Sequence, residues 1–362
     1  MYTLYGSEVS LYTGKIRAYL RFKQLPFKEV LSTIGVYKKI IRPNTGVTFI
    51  PVVKTPNGQY LQDTARIIEY LETHNSQRTV IPTGSTQNLV SELFALWSDE
   101  WLVIPAMHYR WNKENFPFIY QEFGQVVAPK FPRFIRAYFG KKLAKKFSGF
   151  VPILGITAQT IPSIENWYEN TVLHHLNRHF AEHDYLLGSR PCVGDFALMG
   201  PLYAHLYRDP APGKLMKRIA PHVVAWVERM NQSNVPLGEF IADDDIPDTL
   251  LPLLQDMFEQ QWPVLTDTES KVSEWRKTHS DEQVIPRSIG QHSFHVGGVS
   301  EQRAISSFHQ YKLQRVLDTF QRLNEDDKER ALALLDSVGG KQYIQMSVQD
   351  RVAILNNKLV FA

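Results

Sequence analysis

The proline at position 51 lies inside the segment that otherwise has the clearest strand character in the chain. Residues 49–54 read FIPVVK. Because proline has no backbone N–H, it is confined within sheets to edge strands, bulges or the first residue of a strand. We therefore expect a strand to begin at Pro51. A cis Ile50–Pro51 bond would turn the chain sharply and expose the backbone groups of Ile50.

The residues around this proline predict a small α/β domain. The TPNG turn at 55–58 separates two short strands, which is typical of a β-hairpin, and a helix is predicted from Thr64 to Glu72. Upstream, the pattern predicts a strand, a helix and a second strand at residues 2–6, 14–24 and 27–32. The order βαβ followed by ββα fills residues 1–75, which hold too few elements for a dinucleotide-binding fold.

The rest of the chain is predicted to be mostly helical. Apolar residues recur at spacings of three and four in several long segments between residues 86 and 260, which predicts an all-helical domain. Residues 261–362 form an extension that we also expect to be mostly helical. A length of 362 residues fits two domains with such an extension.

Composition limits the compartment and the partners. The net charge of +3 is too small to indicate a general polyanion binder. Cys192 is the only cysteine, which excludes a disulfide framework and fits a reducing compartment. We find no secretory signal, and no stretch approaches the roughly 20 apolar residues of a membrane span. We therefore expect a cytoplasmic protein.

Two features near Pro51 predict a site for a short peptide with an acidic end. An extended peptide can pair with the backbone groups of Ile50 as an added strand. The helix start at Asp63-Thr64 offers free N–H groups, a hydroxyl and the positive end of the helix dipole, which together suit a carboxylate. The first 75 residues also carry ten Lys and Arg against five Asp and Glu, a bias that suits an anionic ligand.

Three segments, in this order, resemble the glutathione transferase superfamily. Residues 4–30 are similar to its first strand, helix and second strand, and residues 49–72 to its cis-proline strand, hairpin and Asp/Glu-Ser helix. Residues 185–206, YLLGSRPCVGDFALMGPLYAHL, resemble the signature of its helical domain. The resemblance covers roughly residues 2–230. It implies an α/β thioredoxin-like N-terminal domain followed by an all-α domain of the glutathione-transferase type, here with an extra helical extension.

The resemblance implies that the first domain holds glutathione as a thiolate. A free thiol titrates near pH 8.5, so only a few per cent is ionised at pH 7. Ser10 aligns with the activating position of the family and Thr13 with its second polar position, while Tyr12 and Tyr5 are the next candidates. No cysteine stands here, which favours conjugation or elimination over thiol–disulfide exchange. Ser10 and Thr13 equally suit a plain helix N-cap, so both roles remain open.

The resemblance also implies how glutathione is bound. The peptide would lie along Ile50 and Pro51, with its γ-glutamyl end at Asp63-Thr64. Lys38 could reach the glycine carboxylate, although a solvated lysine is an equally good interpretation. The second substrate is expected to be an electrophilic, apolar small molecule that meets the helical domain near residues 97–111. Candidates for the wall of that pocket are Trp101, His108, Tyr109 and Trp111.

Other implied properties are a homodimer, a role in detoxification and no metal or nucleic-acid partner. Two further functions remain open. One is a glutathione-dependent isomerase, dehalogenase or ether-cleaving enzyme, which would share the binding site. The other is a non-catalytic binding or assembly protein of the metaxin-like or failed-axon-connection-like kind, which the extension and a basic insertion motivate.

The basic insertion spans about residues 123–164, which contain no acidic residue. Its middle, KFPRFIRAYFGKKLAKKF, holds seven Lys and Arg among aromatics. Such a segment can lie on an anionic membrane surface. We favour a basic loop and helix inserted between two helices of the transferase-like domain, so membrane contact is not expected.

Two further motifs are interpreted as structural. Asp195 stands third after Cys192 and can cap its own helix, although cysteine in place of serine or threonine should weaken the reciprocal bond. His175, His179 and His183 share one helix face, but no acidic or cysteine partner converges on them.

Overall fold

The computed structural model describes residues 1–362 and begins with a four-stranded mixed sheet. The strand order is β2-β1-β3-β4, with β1 parallel to β2 and antiparallel to β3, and β3 antiparallel to β4. Its elements are β1 (Tyr2–Gly6), α1 (Leu11–Phe22), β2 (Phe27–Leu31), α2 (Ile34–Val36), α3 (Arg42–Thr45), β3 (Val52–Lys54), β4 (Tyr60–Gln62) and α4 (Thr64–His74). The predicted thioredoxin-like domain is confirmed.

Local chemistry sets where these elements begin. The Ser10 hydroxyl caps α1, so this helix starts at Leu11, earlier than the apolar pattern predicts. The bond between Ile50 and Pro51 is cis, and β3 begins directly after the proline. The short helices α2 and α3, joined by a π-helical turn at Tyr37–Ile41, have no counterpart in the sequence prediction.

A helical domain follows, in which every long element is α-helical. Its α-helices are α5 (Ser85–Glu100), α6 (Val103–Arg110), α7 (Phe116–Val127), α8 (Arg133–Ser148), α9 (Ile161–Trp167), α10 (Leu173–Glu182), α11 (Val193–Pro201), α12 (Pro210–Ile219), α13 (Pro221–Met230), α14 (Leu251–Asp256) and α15 (Trp262–Thr278). Wider π-helical turns at Tyr168–Val172, Leu202–Tyr207 and Met257–Gln261 continue α9, α11 and α14. Short 3₁₀ turns lie at Lys113–Asn115, Pro152–Leu154, Ala242–Asp244 and Asp248–Leu250. None of these helices is both long enough and apolar enough to cross a bilayer.

The basic insertion is built around a helical hairpin formed by α7 and α8. The two helices cross at Gly140, where an added Cβ would lie 1.8 Å from the backbone oxygen of Tyr120. Only glycine therefore permits this approach.

After α15, which opens it, the extension contains four strands that the sequence pattern did not predict, although helices still account for more of its residues. Its elements are β5 (Ser288–Val296), β6 (Val299–Ser306), α16 (Phe308–Gln321), α17 (Glu325–Ser337), α18 (Lys341–Ile344), β7 (Val352–Leu355) and β8 (Lys358–Phe361). β5 pairs with β6 and β7 with β8, both antiparallel. Phe294 and Val296 are buried and their neighbour His295 is exposed, but this alternation is hard to recognise because the buried faces also carry His292 and Arg303.

One hydrophobic core joins all three parts of the chain. It includes Leu4 of β1, Trp97 of α5 and Leu313 of α16, each almost fully buried. The extension is therefore packed into the fold through α16, rather than appended to it.

The side chains of the two motifs interpreted as structural form hydrogen bonds within the fold. The buried Asp195 carboxylate accepts hydrogen bonds from the Cys192 N–H at 2.9 Å, the Leu186 N–H at 3.1 Å and the Trp226 indole at 3.1 Å. Both bonds of the reciprocal cap are present, so the cysteine does not abolish it. His179 is also buried, and its ring nitrogens contact the Thr249 hydroxyl at 2.7 Å and the Tyr185 carbonyl at 3.1 Å.

Candidate functional site

Two cavities meet at the start of α1. The first, which we call the groove cavity, has a volume of about 430 Å³ and follows Ile50, Pro51 and the beginning of α4. The second, the apolar cavity, has a volume of about 590 Å³ and lies on the Ser10 side. Both volumes are typical of small-molecule sites. Tyr12, Phe49 and Ile50 line both cavities, so a single ligand can reach from one into the other.

The backbone at Ile50 is available to a ligand. Neither its N–H nor its carbonyl makes a hydrogen bond within the chain. Since β3 starts two residues later, these groups form a short unpaired edge at the wall of the groove cavity. An extended peptide can pair with such an edge.

The start of α4 supplies donors to the same cavity. Asp63 has a left-handed backbone, with φ of 73°, and its carboxylate accepts from the N–H groups of Ala65 at 3.1 Å and Arg66 at 3.2 Å. The Thr64 N–H and hydroxyl make no hydrogen bond within the chain. These two free donors at a helix N-terminus suit a carboxylate.

The Ser10 side chain lines the apolar cavity and caps α1, while its hydroxyl proton stays free. Its Oγ accepts a long hydrogen bond, 3.4 Å, from the Thr13 N–H. The hydroxyl hydrogen itself has no acceptor in the chain. The capping role and a donor role toward a ligand are therefore compatible.

Tyr12 lines both cavities, but its hydroxyl is already engaged. It donates to the Asp99 carbonyl at 3.0 Å. Burial, together with the nearby carboxylates of Glu100 and Asp99, raises the pKa of Tyr12 well above its usual range. Its only hydroxyl proton is thus retained and directed away from a ligand.

The other two hydroxyl candidates lie outside both cavities. Thr13 is fully buried, where its Oγ accepts from the Ser7 N–H at 3.3 Å. A Cβ on Gly6 would come within 2.3 Å of the Thr13 methyl, so the two residues are packed together. Tyr5 stacks on Tyr60 across the sheet at 6.3 Å between ring centres. The structure gives Thr13 and Tyr5 packing roles rather than a place at the site.

The turn that carries Ser10 is held by the helical domain. The buried Arg110 guanidinium donates to the Val9 carbonyl at 2.6 Å. Arg110 is in turn fixed by two hydrogen bonds to Asp209, at 2.8 and 3.0 Å. Because this pair is fully buried, the position of Ser10 depends on how the two domains pack.

Helices of the basic insertion form part of the apolar cavity. They contribute Phe123, Val126, Leu143 and Phe147, while Met107 and Trp111 come from α6 and the residue after it. Lys38 is exposed at the rim of this cavity and does not line the groove cavity, where the expected carboxylate contact would lie.

Only one of the four aromatic candidates for the acceptor pocket, Trp111, lines the apolar cavity. Trp101 packs against Phe294 of the extension, while Tyr109 and His108 contact Glu169 and Glu165, respectively.

The extension covers the groove cavity, which the sequence did not indicate. Its lining residues include Arg287, Phe308, Lys312, Asn357 and Lys358. The Asn357 amide donates to the Thr45 carbonyl at 2.9 Å, which holds the last hairpin against the first domain. No motif marks these residues, because they meet the groove only through tertiary packing.

A buried network of charges lies beneath this cover. The Asp99 carboxylate lies 2.8 Å from the Lys15 ammonium and 3.1 Å from that of Lys312, which is also 3.8 Å from Asp63. Burial would raise the pKa of Asp99, but the two lysines outweigh it and lower that pKa. Burial would lower the pKa of Lys312, but Asp63, Asp99 and Glu100 outweigh it and raise that pKa.

Several solved structures of glutathione transferases are similar to this chain. One from Rhodospirillum rubrum F11 is 18% identical with a TM-score of 0.43, covering 68% of this chain and 97% of its own. One from Methylobacterium radiotolerans, in complex with glutathione sulfonate, is 17% identical with a TM-score of 0.38, covering 67% and 98%. The beta-etherase LigF from Sphingobium sp. strain SYK-6 is 15% identical with a TM-score of 0.45, covering 64% and 94%. No curated protein matches the chain.

Two family matches cover the parts of the chain that build the site. Residues 4–79 match the glutathione S-transferase N-terminal domain, which includes Ser10, Ile50 and Thr64. Residues 162–234 match the glutathione S-transferase C-terminal domain. The basic insertion and the extension lie outside both matches. The chain therefore carries both glutathione S-transferase domains, in the family's order, at residues 4–79 and 162–234.

Proposed function

We propose that this protein is a glutathione transferase that activates glutathione as a thiolate for attack on an electrophilic, apolar small molecule. The observation that carries the proposal is the junction of the two cavities at Tyr12, Phe49 and Ile50. A groove with free backbone and hydroxyl donors, which suits a peptide, opens there into an apolar space that suits an acceptor. A free hydroxyl, that of Ser10, lies on the acceptor side.

The groove supports the binding of an extended, anionic peptide. The γ-glutamyl carboxylate would accept from the Thr64 N–H and hydroxyl, and the peptide backbone would pair with Ile50. The sulfur then falls near the shared wall of the two cavities, toward Ser10. The match to the glutathione S-transferase N-terminal domain supports glutathione as this peptide.

The start of α1 supports thiolate formation at that position. Lowering the thiol pKa by about two units requires about 2.7 kcal/mol. A hydrogen bond from a hydroxyl to a charged acceptor contributes about 1.5–3 kcal/mol, and a helix N-terminus adds about 0.3–1 kcal/mol. Ser10 and the 12-residue helix α1 together can supply the required amount.

A second candidate function is a non-catalytic binding protein. The observation that favours it is the cover formed by the extension, since Lys312 already lies 3.8 Å from Asp63 in the groove. Against it stands the open volume of about 430 Å³ that remains below the cover. The homodimer implied by the resemblance also stays a prediction, which light scattering would check.

Calorimetric titration with glutathione, followed by turnover of a chlorinated dinitrobenzene, tests the proposal. We expect binding at millimolar glutathione or below and conjugate formation that requires the thiol. Binding without turnover of any electrophile would favour the non-catalytic function. No binding at all would overturn the proposal.

A further inference from the structure

We propose that Arg287 of the extension binds the glycine carboxylate of glutathione. This inference rests on the proposed function, because it names a further binding residue for the same ligand. Lys38, the residue that the sequence suggested for this contact, lies on the apolar cavity instead. Arg287 lines the groove cavity itself, on the wall that the extension provides.

The guanidinium of Arg287 is held in place but has no anionic partner. It lies 3.6 Å from the ring centre of Phe49, the residue next to Ile50. No carboxylate in the chain lies within salt-bridge distance of it, and its side chain makes no hydrogen bond. Stacking on an aromatic face orients a guanidinium and leaves the donors at its edge free.

The other cations of the groove cavity are less suited to this contact. Lys312 is neutralised by Asp99 and Asp63, at 3.1 and 3.8 Å. Lys358 is exposed, as is Arg287, but no other side chain fixes the position of Lys358. The carboxylates of Glu100 and Asp63, which also line the cavity, act on Arg287 only from beyond salt-bridge distance. Arg287 is therefore the one cation of this wall that stacks on an aromatic ring and forms no salt bridge, and a guanidinium binds a carboxylate with two parallel hydrogen bonds.

The groove cavity connects Arg287 with both elements expected to bind the peptide. It takes Phe49 and Ile50 from one segment and Asp63 and Thr64 from the start of α4, and Arg287 stacks on the ring of Phe49. In the proposed pose, a peptide with one carboxylate at Thr64 and its backbone on Ile50 directs its opposite end toward Arg287. Glutathione has a carboxylate at each end, which matches this arrangement.

Calorimetry with two ligands tests the role of Arg287. The ligands are glutathione and its glycine monoethyl ester, which lacks only the charge at that end. We expect Arg287→Ala to weaken glutathione binding by about 10- to 100-fold and ester binding by less than about threefold. Arg287→Lys should recover part of the loss, and Lys38→Ala, the matched control, should change neither affinity by more than about threefold.

Two outcomes overturn the inference and leave the proposed function intact. One is unchanged glutathione affinity in Arg287→Ala. The other is an equal loss for glutathione and the ester, which would mean that the arginine only packs on Phe49. Failure of the wild-type protein to bind either ligand would instead remove the proposed function itself.

A second, independent observation concerns the surface of the α7–α8 hairpin and the loop after it. Large apolar side chains are unusually exposed there, with Phe134 at 74% and Tyr138 at 57%. Others on this surface are Phe131, Phe147, Phe150 and Ile153. We infer that this surface, residues 130–153, docks on an anionic lipid bilayer.

The charges of this surface favour a bilayer over a soluble partner. Its seven Lys and Arg, at 130, 133, 136, 141, 142, 145 and 146, form no salt bridge, and residues 123–164 contain no acid. Lysines attracted to anionic headgroups contribute about 1 kcal/mol each, and aromatic side chains insert at the interface. From the sequence alone we favour a basic loop and helix inserted between two helices, without membrane contact, because the exposure of these aromatics is visible only in the structure.

The docking surface adjoins the apolar cavity. Leu143 and Phe147 belong to α8 and also line that cavity. A docked protein would therefore hold its acceptor pocket near the lipid, where apolar substrates accumulate.

Co-sedimentation with vesicles of neutral phosphatidylcholine, with and without phosphatidylglycerol, tests the docking. We expect binding only to the anionic vesicles and expect high salt to abolish it. Two variants should each reduce binding at least about fivefold: Lys→Gln at 141, 142, 145 and 146, and Phe134→Ser combined with Tyr138→Ser. A matched control with Lys→Gln at 28, 214, 277 and 341 should bind like the wild type. Background sedimentation with anionic vesicles, or an equal loss in the control, would overturn the inference.

Discussion

The ammonium of Lys312 lies 3.1 Å from the carboxylate of Asp99, and this contact joins the extension to the helical domain at the edge of the groove cavity. Both side chains are more than nine-tenths buried. Asp99 also pairs with Lys15 of the first domain at 2.8 Å. One carboxylate therefore connects all three parts of the chain.

We expect Lys312→Met to lower the free energy of unfolding by about 1–3 kcal/mol. The substitution keeps the volume of the side chain but leaves Asp99 with one cation instead of two. The expected loss is below the roughly 3–5 kcal/mol of a fully broken buried pair, because Lys15 remains. Urea unfolding at neutral pH measures it. Lys358→Met, at an exposed position of the same cavity, serves as the control, and a variant as stable as the wild type would show that the pair gives no net stabilisation.

We expect Ser10→Ala to reduce kcat/KM for conjugation by about 10- to 100-fold and to raise the pKa of bound glutathione by about one to two units. The substitution removes a hydroxyl proton that is free at the apolar cavity, on the side chain that caps α1. The thiolate absorbance of the complex as a function of pH reports the pKa directly.

The comparison variant for Ser10 is Tyr12→Phe, which removes a hydroxyl that donates to the Asp99 carbonyl. Its effect on the thiol pKa should be smaller than that of Ser10→Ala. The reverse order would assign thiol activation to Tyr12.

The elements around Pro51 could be predicted because their signals are local. Proline constrains the residue before it and the strand after it, and a turn sequence and a helix cap fix the neighbouring boundaries. The two strand hairpins of the extension could not be placed, because buried polar residues such as His292 and Arg303 hide the alternation. In those segments tertiary packing, and not local preference, decides the structure.

The residues of the site also fall into those with a local sequence signal and those without one. Ser10, Ile50 and Thr64 lie within a few residues of recognisable caps and turns, and the structure brings them to adjoining cavities. Arg287 reaches the groove from more than two hundred residues away in sequence. Nothing in its local pattern distinguishes it from a solvated arginine.

We expect Thr64→Val to weaken glutathione binding by about 5- to 10-fold. Valine keeps the shape of the side chain and removes a hydroxyl that is free to donate to a carboxylate, a contact of about 1 kcal/mol or more. Thr73→Val, on the same helix, is the control, because its hydroxyl bonds only to the backbone and neighbouring side chain of that helix. Equal affinities for wild type and Thr64→Val, measured by calorimetry, would place the γ-glutamyl end elsewhere.

We expect Asp195→Ala to be among the most destabilising single changes in the helical domain, at about 2–4 kcal/mol. It would leave buried N–H donors of Cys192, Leu186 and Trp226 without an acceptor. Urea unfolding measures the loss, with the exposed Asp281→Ala as the control. A loss below about 1 kcal/mol would mean that water replaces the carboxylate.

We expect the stability that Asp195 contributes to decrease as the pH rises from about 4 to about 6. Burial raises the pKa of Asp195 to about 6 from its usual 3.8, so the folded state holds this proton more tightly than the unfolded chain does. For such a group, the contribution to stability is greatest below the pKa of the unfolded chain and falls until the pH passes the pKa of the folded state. The total loss in unfolding free energy is about 2–3 kcal/mol. Asp195→Asn cannot ionise, so the difference in unfolding free energy between wild type and this variant should shift in favour of the variant across that range. A difference that is constant with pH, or that shifts toward the wild type, would show that the carboxyl is charged throughout and stabilised by its three donors.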